Sequence, residues 1–286
     1  MKNLFLHGVV SVRHPQTPYI KLVKLRRNEE NMLRALYISY TGMLNQQHRL
    51  DTITNNLANS ATTGYKKEGA TAQAFDKVLM KKLNDGSENY IDKPIGKMSL
   101  GVKIGENFTD YSQGSFKATE NPLDLAIVND GFFEISFQKA NGESVMKYTR
   151  DGSFSLTETG YLVTKDGDFV QGSNGNIQLD TSAEIIIDKD GYIWENGAVK
   201  DRVKVVDFED YNYLKKYGEN MYEEVEGATK KDVHTSMMQG YLEVSNVNVI
   251  SEMIDMITIS RAYEANQKFI QTADSILEKN MTIGAL

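Results

Sequence analysis

Two seven-residue repeats, one at each end of the chain, constrain the fold more than anything between them. Near the N-terminus Leu36, Met43, Leu50 and Leu57 recur every seven residues, with Tyr40, Gln47, Thr54 and Ala61 four residues after each. Near the C-terminus Val249, Met256, Tyr263, Ile270 and Leu277 keep the same period, interleaved by Met253, Ser260, Gln267, Asp274 and Met281. A 4-3 spacing is the seam of a helix that packs lengthwise on another helix. One helix is expected from about Leu33 to about Asn59, with Gly42 at a close contact or bend and Gly64 as a left-handed cap. The other is expected from about Val249 to Met281, and the two should pair as a coiled-coil stalk.

The C-terminal helix carries more apolar surface than one seam can bury. Ile250, Ile254 and Ile257 lie to one side, followed by Ala262, Ala265, Phe269, Ala273 and Ile276. A helix apolar on more than one face is covered by more than one neighbour. A single chain supplies too few, so other subunits are the expected source; packing on the chain's own β-domain is the alternative.

Between the helices the period changes to two. A short helix over Ala70–Lys82 and an exposed loop over Asn84–Lys97 lead into a β-rich region at 101–245. Its turns are marked by Asp130-Gly131, Asn141-Gly142, Asp151-Gly152, Asp166-Gly167, Asn174-Gly175, Asp190-Gly191 and Asn196-Gly197. Asn-Gly and Asp-Gly between alternating runs are the strongest short-range hairpin signal. Strands are expected at Asp124–Val128, Phe132–Phe137, Glu184–Asp188, Val203–Phe208 and Met238–Val244, with Tyr211–Asp232 mostly irregular. The fold class is α+β: terminal helices at 32–66 and 246–286 around a central antiparallel β-domain.

Composition removes several functions. A formal charge of -7 argues against nucleic acid as partner. Cysteine is absent, which excludes thiolate metal sites and thiol nucleophiles. No apolar run reaches the length of a membrane-spanning helix. His7, His14, His48 and His234 lack the spacing of a zinc site. Asp188-Lys189-Asp190-Gly191 starts like a calcium loop but lacks the closing glutamate, and reads as a hairpin turn. No catalytic, cofactor-binding or metal-ligating residue is expected, and no cofactor. Residues 1–31 differ from the rest, with six Lys/Arg against two Glu. They are expected to be a disordered extension or the product of a start placed before Met32.

Asparagines cluster at both helix junctions. Asn55, Asn56 and Asn59 are poor helix formers at the end of the first helix, and Asn246 and Asn248 precede the second. Asn248 is placed to cap it. The others read either as fraying ends or as amides that bond a partner's backbone.

These same segments resemble the flagellar rod and hook protein family. The resemblance is carried by Met32-Leu33-Arg34-Ala35-Leu36, Thr41-Gly42-Met43, Leu50-Asp51-Thr52-Ile53-Thr54-Asn55-Asn56-Leu57-Ala58-Asn59 and Thr63-Gly64-Tyr65-Lys66-Lys67. It continues in Gln113-Gly114-Ser115, Asn121-Pro122-Leu123-Asp124-Leu125-Ala126, Asp130-Gly131-Phe132-Phe133 and Tyr148-Thr149-Arg150-Asp151-Gly152-Ser153-Phe154. Gly240–Val249, Arg261-Ala262-Tyr263-Glu264-Ala265-Asn266 and Thr272-Ala273-Asp274 complete it. Residues 1–31 and the loop at 84–100 have no close counterpart.

The resemblance implies an axial structural component of the bacterial flagellum, exported by the flagellar type III apparatus without a cleaved signal peptide. It implies a homopolymer with rod and hook proteins as neighbours, surrounded in some cases by ring bushings. Length and Gly218-Glu219-Asn220-Met221-Tyr222 favour the distal-rod type, with proximal-rod and hook-type proteins as alternatives. A coiled-coil adaptor with a ligand-binding β-domain, or a carbohydrate-active enzyme, would be the reading from another class. The expected assembly interface comprises Leu36, Tyr40, Met43, Gln47, Leu50, Asn55, Asn56, Leu57, Asn59, Asn246, Asn248, Val249, Ile250, Met253, Ile254, Met256, Ile257, Arg261, Tyr263, Asn266, Ile270 and Leu277.

Overall fold

Phe132 and Phe133 show how the middle of the chain is built. Successive side chains of a strand point to opposite faces, yet both rings are buried. Phe133 packs with Leu125, Phe154, Leu162 and Val170 on one face, and Phe132 with Tyr148, Phe208, Leu214 and Tyr222 on the other. The sheet that carries them therefore has a core on each side. A computed structural model describes residues 18–81, 94–139, 142–181, 183–233 and 236–284.

Two helices flank the β-structure: α1 (Pro18–Ala58) and α2 (Val249–Gly284). Between them come β1 (Glu68–Ala74), β2 (Val78–Lys81), β3 (Pro94–Met98), β4 (Val102–Thr109), β5 (Phe116–Ala118), β6 (Leu125–Val128), β7 (Phe132–Gln138) and β8 (Ser144–Thr149). Short strands then continue to Tyr241–Glu243. The large antiparallel sheet runs in the order Leu214–Tyr217, Met221–Glu224, β8, β7, Phe169–Gly172, Leu162–Val163, Ser155–Leu156. Val205–Phe208 also pairs with β7, and Ile185–Ile187, Tyr192–Glu195 and Ala198–Arg202 form a separate sheet. The Asn-Gly rule holds at Asn196-Gly197, where both residues have positive φ (50° and 83°) between paired strands. Asp151-Gly152 departs from it. Gly152 makes no left-handed turn, and a Cβ there would meet the Leu125 carbonyl.

The chain divides into two compact units, residues 1–47, 72–104 and 261–286, and residues 48–71 and 105–260. In the first, α1 carries Tyr37, whose ring stacks on Phe75 at 6.4 Å, and Gly42, where a Cβ would lie 3.4 Å from the Asn266 amide of α2. Gly42 thus marks a close contact, as expected. The second unit holds both cores and both helix junctions.

Several expectations need correction. α1 starts at Pro18 and not near Leu33. Pro is tolerated in a first turn, and the Leu-, Lys-, Arg- and Glu-rich stretch before Met32 suits a helix. Residues 1–17 of the expected extension lie outside the described residues. The short helix over 70–82 is replaced by β1 and β2. Their Ala- and Gln-containing sequence favours a helix by propensity, but pairing wins: β1 pairs with β4, the Phe108 ring fills the space beside Gly69, and Thr71 donates to the Glu106 carbonyl (2.8 Å). Of the expected loop over 84–97, residues 84–93 lie outside the described residues, and Pro94–Met98 is a strand paired with β2. Tyr211–Asp232 is not irregular either. It contains a 3-10 turn at Tyr211–Tyr213 and strands at Leu214–Tyr217, Met221–Glu224 and Lys230–Asp232. The single strand expected at Met238–Val244 is two, Ser236–Gln239 and Tyr241–Glu243, separated at Gly240.

Candidate assembly interface

A buried polar junction in the second unit holds the last turns of α1 and the first turn of α2. Helix α1 ends at Ala58, and the chain turns through residues 59–63 before threading inward at Gly64. Gly64 has φ +69°, and a Cβ there would clash with the Asp151 backbone nitrogen. Its own N–H donates to the Glu243 carbonyl (2.9 Å). Gly64 is therefore the entry point of this segment and not the helix cap. Tyr65 and Lys66 follow, both almost wholly buried.

Glu243 is the centre of the junction. Its Oε1 accepts from Lys66 Nζ (2.6 Å) and from the Gly114 N–H (2.8 Å), and its Oε2 from Arg150 Nη1 (3.3 Å). Lys66 also donates to the Ser112 carbonyl (2.9 Å) and Arg150 to the Asn129 carbonyl (2.8 Å). All three charged side chains are about 1% exposed. Burial draws the Lys66 pKa below its ordinary value, opposed by the Glu243 carboxylate.

A second set of bonds anchors the helix ends. Asn56 is fully buried: its Oδ1 accepts from Tyr65 OH (3.0 Å) and the Glu68 N–H (2.9 Å), and its Nδ2 donates to the Glu68 carbonyl (2.8 Å) and Glu252 (3.3 Å). The Lys67 ammonium closes on the same Glu252 carboxylate, in the first turn of α2. Asn246 accepts from the Lys67 N–H (2.7 Å) and donates to the Asp110 carbonyl (2.8 Å). Asn248 caps α2, as expected, accepting from Ile250 and Ser251 N–H (3.1 and 3.2 Å). Asn59 bonds Asn55 (2.7 Å). The amides do bond backbone, but the backbone of their own chain. Lys66, Arg150, Glu243 and Glu252 went unmarked as functional residues, because nothing local in the sequence links positions 177 apart.

The helices bury a different stripe from the one expected. On α1 the buried residues are Thr41, Asn45, Thr52, Ile53 and Asn56, while Leu36, Met43, Leu50 and Leu57 are half-buried and Tyr40 and Gln47 exposed. On α2 the half-buried Met256, Tyr263, Ile270 and Leu277 keep the expected phase. Their inward partners are Glu252, Ile259, Asn266 and Ala273, three residues after each heptad position and not four. Left exposed are Val249, Ile250, Met253, Ile254, Ile257 and Arg261 on α2, and Leu33, Tyr37, Tyr40 and Leu44 on α1. Ile250, the extreme case, is 72% exposed. At 100° per residue, Ile250, Met253, Ile254 and Ile257 fall within one side of α2.

Two long helices with uncovered apolar sides, braced by buried ion pairs, are the marks of a structural subunit that assembles. Comparison with known proteins agrees. Three family models match: "Flagella basal body rod protein" over residues 36–66, "Flagellar hook protein FlgE/F/G D1 domain" over 126–194, and "Flagellar basal body rod FlgEFG protein C-terminal" over 238–283. The chain is 33% identical over 265 residues to the flagellar basal-body rod protein FlgG of Buchnera aphidicola subsp. Schizaphis graminum, covering 87% of this chain and 98% of that protein. It is 35% identical over 270 residues to the FlgG protein of Agrobacterium fabrum, covering 87% and 100%. For the FlgG protein of Bacillus subtilis the figures are 34% over 273 residues, 87% and 98%. The chain belongs to the flagellar basal-body rod protein family.

Proposed function

We propose that the chain, a structural subunit of the bacterial flagellar basal-body rod, self-assembles into a hollow helical shaft that carries torque from motor to hook and passes exported subunits. Its terminal helices pair as the coiled-coil inner layer, with the Asn266 amide seated at Gly42 supporting that pairing. The β-domain forms the outer layer, and the work is mechanical, not enzymatic. The subunit is of the distal-rod type, with other rod proteins and the hook protein as axial neighbours and ring bushings around it. It reaches the basal body outside the cytoplasm through the flagellar export apparatus, without a cleaved signal peptide.

The single observation that carries this reading is the exposed isoleucine side of α2. Ile250, Met253, Ile254 and Ile257 face solvent in the isolated chain. About half or more of each side chain is exposed, so covering each gains roughly 1–2 kcal/mol, enough in sum to drive association. Within the same unit Val249 and the half-buried Met256 extend that surface, and Asn56 and Asn246 anchor the helix ends beside it; in the other unit Tyr40 and the half-buried Leu36 and Met43 present a surface of their own. Ile257→Asp should abolish filament formation by concentrated protein in electron microscopy, with the β-domain still folded by Trp194 fluorescence. Tubes of wild-type appearance built from the variant would sink this assignment, and discrete particles from wild-type protein would favour a soluble adaptor.

A further inference from the structure

Ile186, Trp194 and Val199 stand in a row on the solvent face of the small three-stranded sheet. Trp194 lies directly opposite Ile186 on one neighbouring strand and Val199 on the other. Directly opposed residues share a face, and these three are 53%, 36% and 51% exposed. Ile187 and Ile193, of the other parity, turn inward and join the Phe133 core.

A cavity of about 410 Å³ opens on the solvent face. Ile186 and Trp194 give it apolar walls, and Glu184, Asp188 and Asn196 line the rest. Among the described residues the Glu184 carboxylate, the Asn196 amide and the Trp194 indole N–H have no hydrogen-bond partner. One Asp188 oxygen accepts from the Lys189 N–H (2.7 Å), which leaves the other free. No cation lines the cavity. Arg202 is engaged elsewhere, over the Tyr192 ring at 5.2 Å and on the Asp190 carbonyl (3.0 Å), and Lys200 pairs with Glu195 (3.6 Å).

We propose that this cavity binds a neutral oligosaccharide. An apolar wall with a few convergent polar groups, at this volume, is the make-up of a small-ligand site. A sugar ring carries an apolar C–H face, which the Trp194 ring and Ile186 cover. It also carries a rim of hydroxyls, which donate to the two carboxylates, while its oxygens accept from the Asn196 amide and the indole N–H. An anionic ligand would meet Glu184 and Asp188 with no counter-charge beside them. A single basic side chain would satisfy the carboxylates but leave much of the cavity and its apolar wall uncovered.

Trp194 is the chain's one tryptophan, so its emission reports occupancy directly. Titration of the full chain with cellotriose and with N-acetylglucosamine trisaccharide should give a saturable change for at least one of them. Glu184→Gln and Asp188→Asn should each weaken that binding about tenfold, through loss of a charge-assisted hydrogen bond. Both side chains are exposed, so the fold is kept. Galacturonic acid trisaccharide should bind more weakly than the neutral sugars. No saturable change with either neutral sugar overturns the proposal. So does binding that both substitutions leave intact, or saturation by argininamide alone.

Discussion

Glu243→Gln is the sharpest test of the junction. The carboxylate serves two buried cations, Lys66 at 2.6 Å and Arg150 at 3.3 Å, and the Gly114 N–H at 2.8 Å. Glutamine keeps the shape and an acceptor for Gly114 but removes the charge. Lys66 then keeps the Ser112 carbonyl, and Arg150 the Asn129 carbonyl and the face of Phe132. Breaking a buried pair this way costs about 3–5 kcal/mol, because the charge left behind stays desolvated. For a domain of this size that is a fall in Tm of roughly 6–20 °C, at about 2–4 °C per kcal/mol. The assay is thermal and urea unfolding followed by Trp194, the chain's one tryptophan, which lies in the β-domain. Glu143→Gln is the control: its pair with Lys139 spans 3.8 Å and is largely exposed, so about 0.5 kcal/mol or less should be lost. Adding Lys66→Met to Glu243→Gln should recover part of the loss, since one stranded cation is gone. If Glu243→Gln unfolds with the control, the buried network is not what holds the junction.

Three further perturbations follow from the same geometry. Burial raises the pKa of Tyr65, Tyr148, Tyr211 and Tyr222 above 10.0 and that of Tyr111 to about 12. Their folded values exceed the unfolded one, so the stability they contribute is complete below pH 10 and is lost as pH rises through the folded values, by about 1.4 kcal/mol per pH unit for each. Ultraviolet titration should show these phenols ionising only with unfolding; ionisation near pH 10 in folded protein would contradict their burial. Gly64→Ala forces a side chain into the left-handed region and against Arg150 and Asp151, and should cost at least about 1–3 kcal/mol in urea unfolding. Asn248→Ala removes the cap of α2 and should cost about 1 kcal/mol, read as lower helicity by circular dichroism.

Local physics made much of this fold legible. Gly131, Gly167, Gly175, Gly191 and Gly197 all take positive φ at the expected turn dipeptides, because a tight turn is decided by the residues in it. Phe132–Gln138 and Leu125–Val128 were readable from alternation and apolar runs. Leu214–Glu224 was hidden because Lys215, Lys216, Glu223 and Glu224 make its sequence look like a charged loop, although Lys216 lies over the Tyr65 ring and Glu224 accepts from Tyr148 OH. The helix expected over 70–82 failed for the opposite reason. Its composition was read without β4, and a partner strand outside the window outweighed propensity.

The site was legible only where a residue contradicted its local setting. Three asparagines in five residues at a helix end are an anomaly, and Asn56 indeed does something a helix former does not, bonding the Glu68 backbone at both its amide atoms. Lys66 and Glu243 break no local rule, so their pairing left no trace in the sequence. The heptads sit between these cases. A seven-residue period announces a packing surface but not whose, and phase is assigned by assuming that the partner lies in the same chain. Helix α1 defeats that assumption. It buries Thr41, Asn45, Thr52 and Asn56 while exposing Leu33, Tyr37, Tyr40 and Leu44, and those exposed four repeat at intervals of four, three and four, the spacing of a seam in its own right. A helix that turns polar groups inward and an apolar seam outward is unfavourable alone and favourable only when a neighbour covers the seam. The displaced phase is thus a physical argument for assembly.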